Sequence, residues 1–182
     1  MAELPSDATA SAPEILLSEA EIVRVVAELA ERIAPVTTDD TVAAVLLTGG
    51  LWFAADLTRA LSRLGRNVRF DALWLASYGD DKTSRGSIEV HGSFQRPLVG
   101  RQILILDDVF DTGLSLAEAG RLAREGGAAE VLTCVFARKP FPLPRAPEPD
   151  FVGWQAPNRF LVGYGLDNAG TLRGLPYIGA LD

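Results

Sequence analysis

The chain has 182 residues, of which 48% are hydrophobic and 23% are charged, and its formal net charge is −7. This length can bury a sizeable core, and the composition is that of one globular domain rather than of a disordered or fibrous protein. The acidic balance argues against broad electrostatic binding of nucleic acid or of an anionic membrane surface. No apolar stretch approaches the roughly 20 residues that cross a bilayer, so we expect a cytoplasmic protein without a membrane partner.

The amino-terminal third predicts a tail followed by alternating helices and strands. Residues 1–17 are expected to be a flexible tail, because the segment is rich in Ala, Ser and Pro. Ser18 and Glu21 have the spacing of a capping box, and apolar residues follow at helical intervals, which predicts a first helix. The apolar run 42–47 predicts a buried strand, and a Thr-Gly-Gly turn leads from it into a helix that ends near Gly65.

The middle of the chain repeats this alternation. It predicts strands at 68–78, 87–94, 103–106 and 131–137, a polar loop at 79–86 and a helix at 115–125. Continuous apolar strands that alternate with helices are typical of an α/β fold, in which a mainly parallel sheet is covered by helices on both faces.

The carboxyl-terminal part has a different texture. The segment 139–150 contains five prolines and cannot continue a regular element, whereas short strands are predicted after it. We therefore expect one domain over 18–182, with a core at about 36–137 and a small carboxyl-terminal hood from about 138 to 182.

The most informative segment is the strand and turn at 103–115. In an open parallel sheet, ligands bind beyond the carboxyl ends of the strands, where the first turn of a helix offers N–H groups to an anion. Gly113 allows close approach of the backbone, and Thr112 and Ser115 add hydroxyl donors. This turn is predicted to bind a phosphate group.

Three acids beside this turn would repel a bare phosphate. Asp107, Asp108 and Asp111 are explained if the ligand also carries sugar hydroxyls that donate hydrogen bonds, or a hard cation such as Mg²⁺. A phosphorylated sugar with a bound metal ion would supply both the hydroxyls and the cation. The alternative is that the three acids belong to a solvated loop that caps the helix.

The segment LILDDVFDTGLSL resembles the phosphoribosyl pyrophosphate signature of type I phosphoribosyltransferases. The resemblance implies the fold of that family, with Mg²⁺ as cofactor. It also implies that Asp107 and Asp108 hold the ribose hydroxyls and take part in the metal site. The residues that would bind the 5′-phosphate are Asp111, Thr112, Gly113, Leu114 and Ser115.

The carboxyl-terminal part resembles hypoxanthine-guanine phosphoribosyltransferases at Lys139, at 150–153, at 157–164, at 166–167 and at Arg173. Lys139 can donate to a carbonyl oxygen, the carbonyl of Leu161 can accept from an N–H group, and Phe160 can stack on a base. Without the resemblance, an isolated aromatic residue such as Phe160 would more often belong to the core. The resemblance implies that these residues bind the purine, and a lysine there favours a 6-oxopurine over adenine.

The same resemblance implies the remaining roles. Asp111 lies near N7 of the base as the catalytic acid or base, and Asp167 borders the purine and helps to place Mg²⁺. Arg173 contacts pyrophosphate. Ser77 and Tyr78 belong to a lid that excludes water from the reacting centre.

The turn that follows the first buried strand is expected to meet pyrophosphate through Thr48 and Gly49. Here the chain departs from the family, which usually has Lys or Arg in place of Thr48. A missing cation weakens an electrostatic contact, although backbone N–H groups can still bind pyrophosphate.

The resulting hypothesis is a salvage enzyme that joins hypoxanthine or guanine to the ribose 5-phosphate of phosphoribosyl pyrophosphate, giving IMP or GMP. Two alternatives stay open: an enzyme that prefers xanthine, and a non-catalytic regulator that keeps the sugar-phosphate site and binds nucleic acid. Family habit suggests a homodimer or a homotetramer.

Overall fold

The computed structural model describes residues 12–78, 87–140 and 147–181. The loop predicted at 79–86 and much of the proline-rich segment lie outside the described residues. The described helices are α1 (Glu19–Ile33), α2 (Leu51–Arg63) and α3 (Leu114–Glu125), with a short 3₁₀ turn at Ala34–Val36. The strands are β1 (Glu14–Leu17), β2 (Val42–Leu47), β3 (Arg69–Tyr78), β4 (Ser87–Gly92), β5 (Gln102–Phe110), β6 (Glu130–Arg138), β7 (Phe151–Gln155), β8 (Phe160–Val162) and β9 (Ile178–Leu181).

Six strands form the main sheet, in the order β4-β3-β2-β5-β6-β7. All neighbouring pairs are parallel except β3 and β4, which are antiparallel. The predicted α/β class with a mainly parallel sheet is therefore confirmed.

The alternating side chains of β2 show why helices cover both faces. Ala43 and Val45 pack into a core with α1 and α2, whereas Val42, Ala44 and Leu46 pack into a second core with α3. All five side chains are buried. A strand that is apolar at every position can fold only where both of its faces are covered.

The predicted capping box begins α1. The Ser18 hydroxyl accepts a hydrogen bond from the backbone N–H of Glu21, and the Glu21 carboxylate accepts one from the backbone N–H of Ser18 at 2.8 Å. Ile22, Val26 and Leu29 then form a buried stripe that faces the sheet.

A second, three-stranded sheet has the order β1-β9-β8 and is antiparallel. Here the structure differs from the tail expected at 1–17, because Glu14–Leu17 form β1 and pair with β9. The backbone groups of β9 gain hydrogen-bond partners on both sides in this way. Glu14 also forms an ion pair with Arg159, beside the start of β8.

The topology brings distant segments of the chain to one edge. Strands β2 and β5 are adjacent and parallel, so the turns that follow them meet at their carboxyl ends. The hood segment between β8 and β9 covers the same edge. Among the described helices, none is long and apolar enough to span a membrane.

Candidate active site

A cavity of about 330 Å³ opens at the carboxyl ends of β2 and β5. It collects the predicted phosphate turn, the acid pair, Gly49 and Arg173 in one place, together with Leu75 of β3. The lining residues are Leu46, Leu47, Gly49, Leu75, Asp107, Asp108, Val109, Phe110, Asp111, Thr112, Gly113, Leu114, Ser115, Leu116 and Arg173.

The phosphate turn connects β5 to α3. Gly113 is the N-cap of α3 and has a φ of 77°, in the left-handed region that glycine adopts without strain. Its carbonyl accepts the first helical hydrogen bond, from Ala117 at 2.9 Å. The N–H groups of the first turn of a helix have no partner within the helix, so they are available to an anion in the cavity.

Asp107 and Asp108 form a tight acidic pair at the end of β5. Asp107 Oδ1 accepts a hydrogen bond from the backbone N–H of Asp108 at 3.0 Å, and Asp108 Oδ1 accepts one from Val109 at 2.9 Å. Burial raises the pKa of both carboxyl groups, and the neighbouring charge of Asp108 raises the pKa of Asp107 further. The positive charge of Arg173 partly opposes the rise in the pKa of Asp108.

The turn at 48–50, which is expected to meet pyrophosphate and is called the pyrophosphate turn, lies directly against this pair. A Cβ atom on Gly49 would lie 1.9 Å from Asp108 Oδ2, so any larger residue would force the Asp108 carboxylate to move. Thr48 is exposed, and the Leu47–Thr48 peptide bond is cis. Thr48 is not among the residues that line the cavity.

Among the described residues that line the cavity, Arg173 is the cation. Its guanidinium forms an ion pair with Asp167 at 2.8 Å and donates a hydrogen bond to the backbone carbonyl of Gly165. The other carboxylate oxygen of Asp167 accepts a hydrogen bond from the N–H of Gly170 at 2.6 Å. Arg173 is therefore held in position from two sides.

The residues expected to bind the purine lie outside this cavity, on its hood side. The backbone N–H of Lys139 donates to the carbonyl of Phe110 at 2.9 Å, which places Lys139 at the same edge as Asp111. Phe160 is 53% exposed, so it is a surface aromatic and not the core residue that an isolated phenylalanine would suggest. Leu161 is buried in β8, an edge strand of the hood sheet, opposite Ala180 of β9.

The expected lid begins where β3 ends. Ser77 and Tyr78 are the last residues of β3, paired with Ile88 and Ser87 of β4. The lid loop itself, at 79–86, lies outside the described residues.

The fit of Mg²⁺ rests on the acid pair. Burial raises the pKa of both carboxyl groups, and the charge of Asp108 raises that of Asp107 further, so a cation or hydroxyl donors would stabilise their ionised forms. The two oxygens of Asp167 already have partners in Arg173 and Gly170, and no group of three or more ligating side chains occurs among the described residues. Asp107 and Asp108 would hold the ion, with Asp167 acting through water.

Sequence reasoning assigned no role to Tyr164, Gly165 or Asp56. The Tyr164 hydroxyl donates a hydrogen bond to Asp56 at 3.0 Å, across 108 positions of the chain. The only signal in the sequence was the Gly-Tyr-Gly triplet, since glycines on both sides of a residue suggest an unusual backbone.

An acid pair, a predicted phosphate turn and an arginine that line one cavity at the carboxyl edge of a parallel sheet are the arrangement expected of an enzyme that transfers a phosphorylated sugar. Comparison with known proteins gives the family. The family model for the phosphoribosyl transferase domain matches residues 14–169, and the chain belongs to the phosphoribosyltransferase family.

Several similar proteins are hypoxanthine-guanine or hypoxanthine phosphoribosyltransferases. The hypoxanthine-guanine phosphoribosyltransferase of Bacillus subtilis is 34% identical over 169 residues, which cover 92% of each protein. That of Aquifex aeolicus is 35% identical over 167 residues, covering 91% of this chain and 92% of the relative. A solved structure of a variant of the hypoxanthine phosphoribosyltransferase of Trypanosoma cruzi is 32% identical, with a TM-score of 0.84. The match covers 93% of this chain and 95% of that chain.

Proposed function

We propose that this protein is a purine-salvage enzyme that transfers ribose 5-phosphate from phosphoribosyl pyrophosphate to N9 of hypoxanthine or guanine. The products would be IMP or GMP and pyrophosphate. The observation that carries the proposal is the 330 Å³ cavity, in which an acid pair and a phosphate turn face Arg173. The relatives named as hypoxanthine-guanine phosphoribosyltransferases support the choice of base.

The two ends of the sugar substrate have different partners. The 5′-phosphate accepts hydrogen bonds from the N–H groups at the start of α3 and from the hydroxyls of Thr112 and Ser115. The ribose hydroxyls donate to Asp107 and Asp108. At the other end, Arg173 and the backbone beside Gly49 bind the pyrophosphate group.

The reaction is a displacement at C1′ with inversion. N9 of the purine forms a bond to C1′ while the bond from C1′ to the pyrophosphate oxygen breaks, and pyrophosphate leaves with the electron pair. Asp111, exposed at the mouth of the cavity, accepts the proton that the purine loses from N7. When bound, Mg²⁺ would neutralise charge on the pyrophosphate group.

Residues on the hood side of the site select the base. Lys139 donates to O6 of the purine, which rejects the amino group of adenine because two donors would face each other. The exposed ring of Phe160 stacks on the base, and the backbone at Leu161 and Asp167 borders its 2-position edge.

The proposal includes an assembly and a location. Trp74 is 54% exposed and lies beside Leu47 in the sheet, next to the turn that leads to the 39% exposed Leu51. We propose that this apolar surface joins subunits in a homodimer or homotetramer, in the cytoplasm. Light scattering would show a single mass of 19.5 kDa if the surface joins nothing.

The experiment that tests the activity offers the protein phosphoribosyl pyrophosphate and Mg²⁺ with hypoxanthine, guanine, xanthine or adenine. Nucleotide from hypoxanthine and guanine, but not from adenine, is the expected result. Preferential turnover of xanthine would move the assignment to the xanthine-preferring alternative. Binding of phosphoribosyl pyrophosphate without turnover of any base would favour the regulator.

A further inference from the structure

Tyr164 has an unusual backbone for a bulky residue. It follows β8 with a φ of 50°, between Gly163 and Gly165, whose φ values are 92° and 100°. Glycine would adopt this left-handed conformation freely, whereas a side chain is strained there. A tyrosine at this position therefore suggests that its side chain compensates for the strain through specific contacts.

Those contacts fix the ring and its hydroxyl. The ring packs edge-on against Phe136, with ring centroids 5.0 Å apart, and only 6% of Tyr164 is exposed. The hydroxyl donates to Asp56 Oδ2 at 3.0 Å, and Asp56 Oδ1 accepts a hydrogen bond from Arg59 at 2.9 Å. Burial and the charge of Asp56 raise the pKa of Tyr164, so the hydroxyl remains a hydrogen-bond donor.

The next residue, Gly165, contacts both groups expected to bind pyrophosphate. A Cβ atom on Gly165 would lie 2.1 Å from the carbonyl oxygen of Gly49, so the two backbones are in close contact. The Gly165 carbonyl accepts a hydrogen bond from the Arg173 guanidinium, and its N–H donates to the Arg173 carbonyl at 2.9 Å. A shift of Gly165 would displace Arg173 and the Gly49 turn together.

Asp56 connects Tyr164 to the segment of the chain that carries Gly49. It lies in α2, the helix that begins immediately after the pyrophosphate turn. The hydrogen bond between Tyr164 and Asp56 thus ties the hood segment that carries Arg173 to the element that carries Gly49. We propose that Tyr164 and Asp56 are positioning residues that set the distance between these two pyrophosphate-binding groups.

This inference rests on the proposed function, and it predicts an effect confined to one end of the substrate. Tyr164→Phe keeps the ring and its packing and removes only the hydroxyl. We expect the KM for phosphoribosyl pyrophosphate, and for pyrophosphate in the reverse reaction, to rise roughly tenfold, since a hydrogen bond to a charged acceptor is lost. The KM for hypoxanthine should stay within about twofold of its original value.

A double-mutant cycle tests whether Tyr164 and Asp56 act through their shared hydrogen bond. If the hydrogen bond carries the effect, Asp56→Ala should raise the same KM, and the combined variant should be no worse than either single change. Additive losses would overturn the proposal, because they would mean that the two side chains act independently.

Thr58→Val is the matched control for a general loss of stability. Thr58 lies on the same helix, and its hydroxyl donates to the Ala54 carbonyl at 2.8 Å. The proposal is overturned if Tyr164→Phe lowers the melting temperature as Thr58→Val does but leaves the KM for phosphoribosyl pyrophosphate and the KM for pyrophosphate unchanged.

Calorimetric titration with phosphoribosyl pyrophosphate and Mg²⁺ separates this inference from the activity. If the unaltered protein turns over no purine, the proposed function fails, but its affinity for the sugar can still be measured. Weaker binding by Tyr164→Phe than by Thr58→Val would then support the positioning role, and equal binding would refute it.

Discussion

The contact between Gly49 and Asp108 allows a substitution whose effect can be worked from geometry. Gly49→Ala adds one carbon that would lie 1.9 Å from Asp108 Oδ2, whereas ordinary contact begins at 3.4 Å. The carboxylate must therefore retreat by about 1.5 Å, the difference between these distances. Because a misplacement of about 1 Å can cost roughly 100-fold in rate, we expect kcat/KM for nucleotide formation to fall by about 100-fold or more.

Stability should change much less than activity. Asp108 can rotate away, so the overpacking costs about 1–3 kcal/mol, which lowers the melting temperature by roughly 2–12 °C in a domain of this size. Gly153→Ala is the matched control, since its Cβ would lie 2.8 Å from the Phe136 carbonyl, within the core. Initial rates and melting curves of the two variants would be compared. Activity of Gly49→Ala within about threefold of the original, at equal folded fraction, would refute the role assigned to Asp108.

Three further predictions address the charges and the base. Thr48→Lys should lower the KM for phosphoribosyl pyrophosphate roughly tenfold, and the gain should shrink as salt is added, which initial rates at two ionic strengths would check. Asp107→Asn should abolish turnover and raise stability towards neutral pH. The raised pKa values of Asp107 and Asp108 mean that the native state retains protons that the unfolded chain has lost, so stability is greatest below the unfolded pKa and is lost as pH rises through the folded pKa. Urea unfolding between about pH 4 and 7 should show a flatter dependence in the variant. Phe160→Ala should raise the KM for hypoxanthine about tenfold through lost stacking, and should change the free energy of unfolding by less than about 0.5 kcal/mol because the ring is exposed.

Most of the main sheet was predictable because its signals are local, but β7 was expected in the hood and instead pairs with β6 at the edge of the main sheet. An apolar run such as 42–47 and the capping pair Ser18 and Glu21 each depend on a few neighbouring residues, and the structure confirms them. The hood sheet was not predictable in the same way. Glu14–Leu17 is too short to show a strand pattern, and its pairing with β9 depends on contacts across most of the chain.

The candidate site shows the same division. The acids and the phosphate turn follow one another between Asp107 and Ser115, so a single segment was sufficient to place them. The hydrogen bond from Tyr164 to Asp56 depends on tertiary packing, and no spacing in the sequence indicates it. The structure brings the acids and the phosphate turn to one edge of the sheet, and the roles assigned to them, like those of Lys139 and Leu161 in purine binding, stay predictions.

The order of the strands also has a consequence for synthesis on the ribosome. The main sheet needs nothing beyond β7, so the phosphate turn can form while the hood is still being translated. Strand β1 is made early but has no partner until β9 emerges, and β8 is paired by the same strand. A nascent chain that has not yet reached β9 should therefore already hold the phosphate turn, while the strand that begins with Phe160 still lacks its partner strand.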